Sequence, residues 1–210
     1  MARAPVGALL AAAALASALA TPSAAHTVGI PLAATPPVVL HFCRDRAHRH
    51  TFPVLCPTRW PHVASSAVTS SGSSVLGPSF YWGSFNDEAG FQYGDDGHLV
   101  FGGQRLPFSL QGAAKQTWPR PGQPEPVTQL WLSGSARILR VSTVRGARSL
   151  VVDAPAYPAG GFMGGHVIAL WNWRGRGYFV SLHYDGLRTG TSYTLEERLH
   201  AVLAIARSAQ

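Results

Sequence analysis

Lysine is nearly missing from this chain: Lys115 stands alone against sixteen arginines. Acids are few as well, ten in 210 residues, and the formal net charge is +7. Cysteine occurs only twice, which excludes a dense disulfide scaffold and any four-cysteine metal cluster. Beyond Val39 no uninterrupted apolar run is long enough to cross a bilayer as a helix. The motifs of common chemistries are absent too: no GxSxG, no HExxH, no phosphate-loop lysine and no GxGxxG. On these grounds no cofactor is expected. What remains is a globular composition, 46% hydrophobic, and this excludes a disordered chain, a collagen or a coiled coil. The arginines are scattered; only Arg44, Arg46 and Arg49 form a dense group, diluted by Asp45. The positive charge therefore reads as a general surface property suited to an anionic cell envelope, and no nucleic-acid partner is expected.

Residues 1–25 read as a signal peptide. Arg3 supplies a positive start, residues 4–20 are mostly Ala, Leu, Val and Gly, and Ser23-Ala24-Ala25 fits small-x-small cleavage before His26. Ala18-Leu19-Ala20 offers a second cut, and an uncleaved anchor is the alternative. The expected location is secreted or cell envelope. Residues 26–37, with three prolines, read as an extended N-terminal segment, and 38–210 as a single α+β domain. In an oxidising compartment Cys43 and Cys56 are expected to form a disulfide, against the alternatives of metal thiolates or free thiols. Its 14-residue loop is worth about 3 kcal/mol by loop entropy.

Three stretches read as loops: the Ser/Gly-rich 63–79, the Pro-rich 112–126 and the Gly-rich 154–165. Between them the chain reads as strands. Phe80-Tyr81-Trp82, His98 to Phe101, Val127 to Leu132, Ile138 to Val144 and Ser149 to Val152 are the short ones. The clearest hairpin runs from His166 to Tyr184 around Arg174-Gly175-Arg176-Gly177. Val167, Ala169 and Trp171 share one face and Ile168 and Leu170 the other, so these strands are central. Symmetric pairing across a four-residue turn sets Trp173 opposite Tyr178 and His166 opposite Asp185. Thr194 and Glu197 have capping-box spacing, and Leu195, Leu199, Val202, Leu203 and Ala206 then fall on one helical face. The expected fold is α+β: a twisted, mainly antiparallel sheet with a C-terminal helix packed on one face.

The stretch GGHVIALWNWRGRGYFVSLHYDG, followed by TLEERLHAVLAIARSAQ, resembles the C-terminal unit of secreted proteins common in actinobacteria. In these a GHV…W…G..Y.vSlH hairpin precedes a helix ending in iA.S. Cys56-Pro57-Thr58-Arg59-Trp60-Pro61 is similar to the CP…P element near their start. A looser likeness runs to lipoprotein-sorting-type secreted domains. The resemblance implies the fold and the export, and carries no catalytic residue.

Five groups are candidates for function. His41, His48, His50 and His62 surround the cysteine pair, and in a strand His48 and His50 point the same way, as metal ligands do. His26 would become an N-terminal copper chelator after cleavage, as in copper polysaccharide monooxygenases. Asp87, Glu88, Asp95 and Asp96 are oxygen ligands for calcium or simply turn residues. His166 and Asp185, with His183 a diagonal away and Ser181 or Ser192 as nucleophile, have the residue types of a hydrolase. Among the aromatics, Tyr81 and Trp118 are the binding candidates, in a set that includes Trp82, Trp131, Trp171 and Trp173. The leading expectation is a non-enzymatic envelope or extracellular interaction module, with a cell-wall polymer or another envelope protein as partner. A secreted hydrolase and a histidine metal protein are the alternatives.

Overall fold

The computed structural model describes residues 29–61, 69–74, 80–86, 97–110, 124–126, 135–154, 164–184 and 193–210. The described chain begins extended, and its first strand, β1 (Leu32–Ala34), pairs antiparallel with β2 (Arg59–Pro61). Between them lies a helix, α1 (Pro37–Arg49), in a stretch where the sequence reading places no helix. Pro37 at its first position is tolerated because that N–H has no intrahelical acceptor. Val39, Phe42, Cys43 and Arg46 recur at helical spacing and are its buried face. The expected disulfide joins Cys43 of α1 to Cys56, with Cα atoms 6.1 Å apart.

Among the described residues the main sheet has eight strands, all antiparallel to their neighbours. They are β3 (Thr69–Ser74), β4 (Phe80–Asn86), β5 (Gly97–Gln104), β6 (Pro124–Pro126), β7 (Ser135–Val144), β8 (Ala147–Asp153), β9 (Val167–Trp173) and β10 (Arg176–Tyr184). Two meanders meet in the order β3-β4-β5-β10-β9-β8-β7-β6. β3 and β6 fall inside stretches expected to be loops; their polar and Pro-rich sequences suit edge strands, which both of them are. The Val127 to Leu132 run lies outside the described residues.

The main hairpin differs in one respect from its expected form. Arg176 pairs with Trp173 and Tyr178 with Trp171, so the turn has two residues, Arg174-Gly175, not four. Both have positive φ, 50° and 71°, as a type I′ turn demands. Arg145-Gly146, at φ 51° and 75°, closes β7 and β8 in the same way.

Alternation along the central strands builds a core on each face. Val167, Ala169 and Trp171 of β9 join Tyr178, Val180 and Leu182 of β10 on one face, as expected, and both helices cover that face. Phe42 and Trp60 meet the Phe101 ring edge-on there, at 5.7 and 6.4 Å between centroids. On the other face Ile168, Leu170 and Phe179 pack with Phe108 and Leu110 of the chain that leaves β5. Asn172 fixes that chain by accepting from the Phe108 N–H (2.7 Å) and donating to its carbonyl (2.8 Å). Gly177 is required beneath it, because a Cβ there would meet the Phe108 ring at 2.8 Å.

The C-terminal helix, α2 (Leu195–Ser208), has the expected capping box. The Glu197 carboxylate accepts from the Thr194 N–H at 2.7 Å, and the Thr194 hydroxyl accepts from the Glu197 N–H. Leu199, Val202, Leu203, Ile205 and Ala206 are buried against the sheet, each worth roughly 1.5–3 kcal/mol except the smaller alanine. Beyond α2 the chain pairs with the disulfide segment: the Cys56 N–H donates to the Gln210 carbonyl and the Gln210 N–H to the Cys56 carbonyl.

Candidate functional site

The antiparallel ladder sends chemically different side chains to its two ends. At one end the β5–β10 register sets His183 directly opposite His98. Extending the β9–β10 register one step beyond Val167–Leu182 sets His166 beside His183, so Asp185 is not its cross-strand partner. That correction follows from the two-residue turn, which shifts the pairing by two positions. Three imidazoles thus gather in a triangle at the ends of three adjacent strands. Ring centroids are 5.1 Å apart for His98–His183, 5.2 Å for His166–His183 and 4.7 Å for His98–His166.

His166 is 2% exposed and its Nδ1 lies 2.7 Å from the Ser181 hydroxyl, which is wholly buried. Burial holds the His166 pKa well below the ordinary histidine value, and His98, His183 and the Arg198 guanidinium add to the shift. Arg198 of α2 donates to the Gly165 carbonyl at 3.3 Å. His166 is therefore neutral at physiological pH. Histidine and serine are together, but a serine without exposed surface cannot meet a substrate carbonyl in this conformation. Asp185 and Ser192 lie outside the described residues.

Of the other histidine group, His41, His48 and His50 are described. His41 and His48 are exposed on α1, and His50 caps that helix, buried with its ring 5.3 Å from Phe52. The strand in which His48 and His50 would share a face is a helix end, where residues two apart diverge. His62, His26 and the acids Asp87, Glu88, Asp95 and Asp96 lie outside the described residues. No group of three or more His, Cys, Asp or Glu among the described residues is arranged to hold a metal ion.

At the opposite end of the sheet the two type I′ turns project side by side. The Arg145 and Arg174 guanidiniums lie 4.5 and 4.4 Å from the centroid of the half-buried Trp173 ring. Arg176 covers Phe52 at 5.6 Å. Tyr178 stacks on Trp171 at 5.9 Å and donates to the Pro53 carbonyl at 2.9 Å. Burial raises the Tyr178 pKa, against the opposing pull of Arg176, Arg145 and Arg174. Arg145 also donates to the Ala209 carbonyl, and Arg207 to the Thr143 carbonyl and the Ser142 hydroxyl.

Among the described residues Asp45 pairs with Arg46 and Arg49 on α1, Asp153 with Arg137, and Glu196 with Arg140 and His200. None pairs with Arg145, Arg174 or Arg176. Sequence reasoning scattered these arginines because they sit in two stretches far apart in the chain; only the adjacency of the two turns unites them. The usable signal was Arg-Gly at two hairpin turns, next to a tryptophan already in the aromatic set. Of the other aromatics, Trp171 is core at 1% exposure, Tyr81 and Trp82 are described in backbone only, and Trp118 and Trp131 lie outside.

Comparison with protein-family models, with curated proteins and with solved structures finds no match to this chain.

Proposed function

We propose that the protein is a non-enzymatic, exported interaction module that binds an anionic component of the cell envelope through the turn end of its sheet. One observation carries this reading: Arg145 and Arg174 both lie against the Trp173 ring with no carboxylate partner among the described residues. A guanidinium stacked on an indole keeps its in-plane N–H donors directed outward, ready for phosphate or carboxylate oxygens. The leader-like residues 1–25 and the likeness to secreted actinobacterial proteins support export. The disulfide between Cys43 and Cys56 is compatible with it, and no helix among the described residues is long and apolar enough to cross a membrane.

The test is retention on isolated bacterial envelopes. Wild type should sediment with them at low salt and be released as salt rises, because surface charge attraction is screened over about 8 Å at physiological ionic strength. The double variant Arg145→Gln/Arg174→Gln should remain in solution. Retention of that variant equal to wild type would overturn the reading.

A hydrolase is the second reading, favoured by the 2.7 Å contact between His166 and Ser181. It requires the histidine end to open. A fluorophosphonate probe that labels Ser181 in wild type and not in His166→Asn would establish it, and an unlabelled protein would remove it.

A further inference from the structure

We infer that the turn end docks on an anionic lipid bilayer. This rests on the interaction reading above and names its target. The added observation is Leu106, 71% exposed, the more exposed of the two large hydrophobic side chains left open among the described residues. It follows β5 at the same end as the turns, and the Gly177 N–H donates to its carbonyl at 3.0 Å, next to Arg176. The exposed Arg105 precedes it.

A soluble polyanion would use the guanidiniums and have no use for an open leucine. A lipid surface uses both, since phosphate headgroups meet the arginines while the acyl boundary receives the leucine. Trp173, half-buried at the same end of the sheet, suits such a target: an indole with an apolar body and a polar N–H is the side chain that settles at a membrane interface. The parts are held ready. Asn172 clamps the Leu106 segment through Phe108, and each turn is a closed two-residue hairpin, so little ordering is left for the moment of binding. Exposed Gly146 and Gly175 put no side chain between the turn backbone and the surface.

Flotation of the full chain with vesicles tests this. Vesicles of phosphatidylglycerol and phosphatidylcholine should carry the protein up the gradient at low salt, and pure phosphatidylcholine should not. Each of Arg145→Gln and Arg174→Gln should weaken partitioning about fivefold, the equivalent of about 1 kcal/mol per cation near an anionic surface. Leu106→Ser, which changes no charge, should weaken it about tenfold. Leu40→Ser on α1, the other open leucine, should leave it unchanged. The same proteins are passed over immobilised polyphosphate. Binding to polyphosphate but not to vesicles overturns the lipid inference and leaves the cationic reading standing. Vesicle binding that Leu106→Ser does not alter overturns it as well. Loss of both kinds of binding in wild type overturns both readings.

Discussion

β9 and β10 form one hairpin, yet their two ends manage polar groups in opposite ways. At the open end histidine is hidden and kept neutral. His166 is bonded to a buried serine and flanked by two further imidazoles, while Arg137 and Arg140 nearby are matched to carboxylates. At the turn end charge is displayed. Arg145 and Arg174 lie within about 9 Å of each other, each resting on the same indole and neither paired with an acid among the described residues. Hiding a polar group is expensive unless it is neutral and hydrogen-bonded; displaying like charges costs little in water and leaves them available to an external anion. The difference separates a part of the molecule that holds the fold from a part that can meet a partner.

The largest expected effect sets the two ends against each other directly. His166→Ala removes a packed, buried ring together with its 2.7 Å bond to the Ser181 hydroxyl, for a loss of about 3 kcal/mol in urea unfolding. Arg174→Gln, on an exposed turn, should cost under about 1 kcal/mol, the worth of one cation–π contact. A loss of comparable size for both would mean that the turn arginines are structural, and the contrast between the ends would collapse.

Acid should attack one end only. The His166 pKa is depressed in the folded state, chiefly by burial, so the unfolded chain binds its proton first on acidification. Stability from this group is whole above the unfolded value near 6.5. It falls as pH drops below that, by up to about 1.4 kcal/mol per pH unit until the folded value is reached. His98, His183 and Arg198 face the same imidazole and oppose its protonation. His166→Asn should flatten the profile between pH 6.5 and 4.5, read by thermal melts across that range. A profile as steep in the variant as in wild type would move the acid sensitivity to another group.

How much of this the sequence showed depends on how local the signal was. α2 was legible because its capping box and apolar stripe lie within fifteen residues, and both strands of the hairpin were legible because their alternation needs no partner. α1 was missed although Val39, Phe42, Cys43 and Arg46 keep a helical period, since Pro36-Pro37 and the basic residues after Cys43 carry the look of an irregular segment. The turn was misjudged because two Arg-Gly pairs stand in succession, and only the first makes the turn. That shift of two positions replaced Asp185 by His183 beside His166. His98 had no local signal at all: its place in the cluster depends on β5 pairing with β10, a contact between residues far apart in the chain. The arginine end was hidden for the same reason.

The smallest expected effect isolates what the turn arginines contribute to folding. A type I′ turn needs positive φ at both central residues, and there an L-residue with a long side chain is disfavoured by roughly 1 kcal/mol, while asparagine is tolerated. Arg174 and Arg145 sit at 50° and 51°. Asparagine at either position recovers most of that strain and forfeits a stacking contact on Trp173 worth about 0.5–1 kcal/mol, so the two terms nearly cancel. Arg174→Asn should therefore melt within about 2 °C of wild type, the shift expected of about 0.5 kcal/mol in a domain of this size. Arg145→Asn also loses its bond to the Ala209 carbonyl and should be the less stable of the two by about 1 kcal/mol. Each should still weaken envelope retention severalfold. A turn that stays equally stable while binding weakens has its arginines for the partner, and a turn that unravels with them has them for itself.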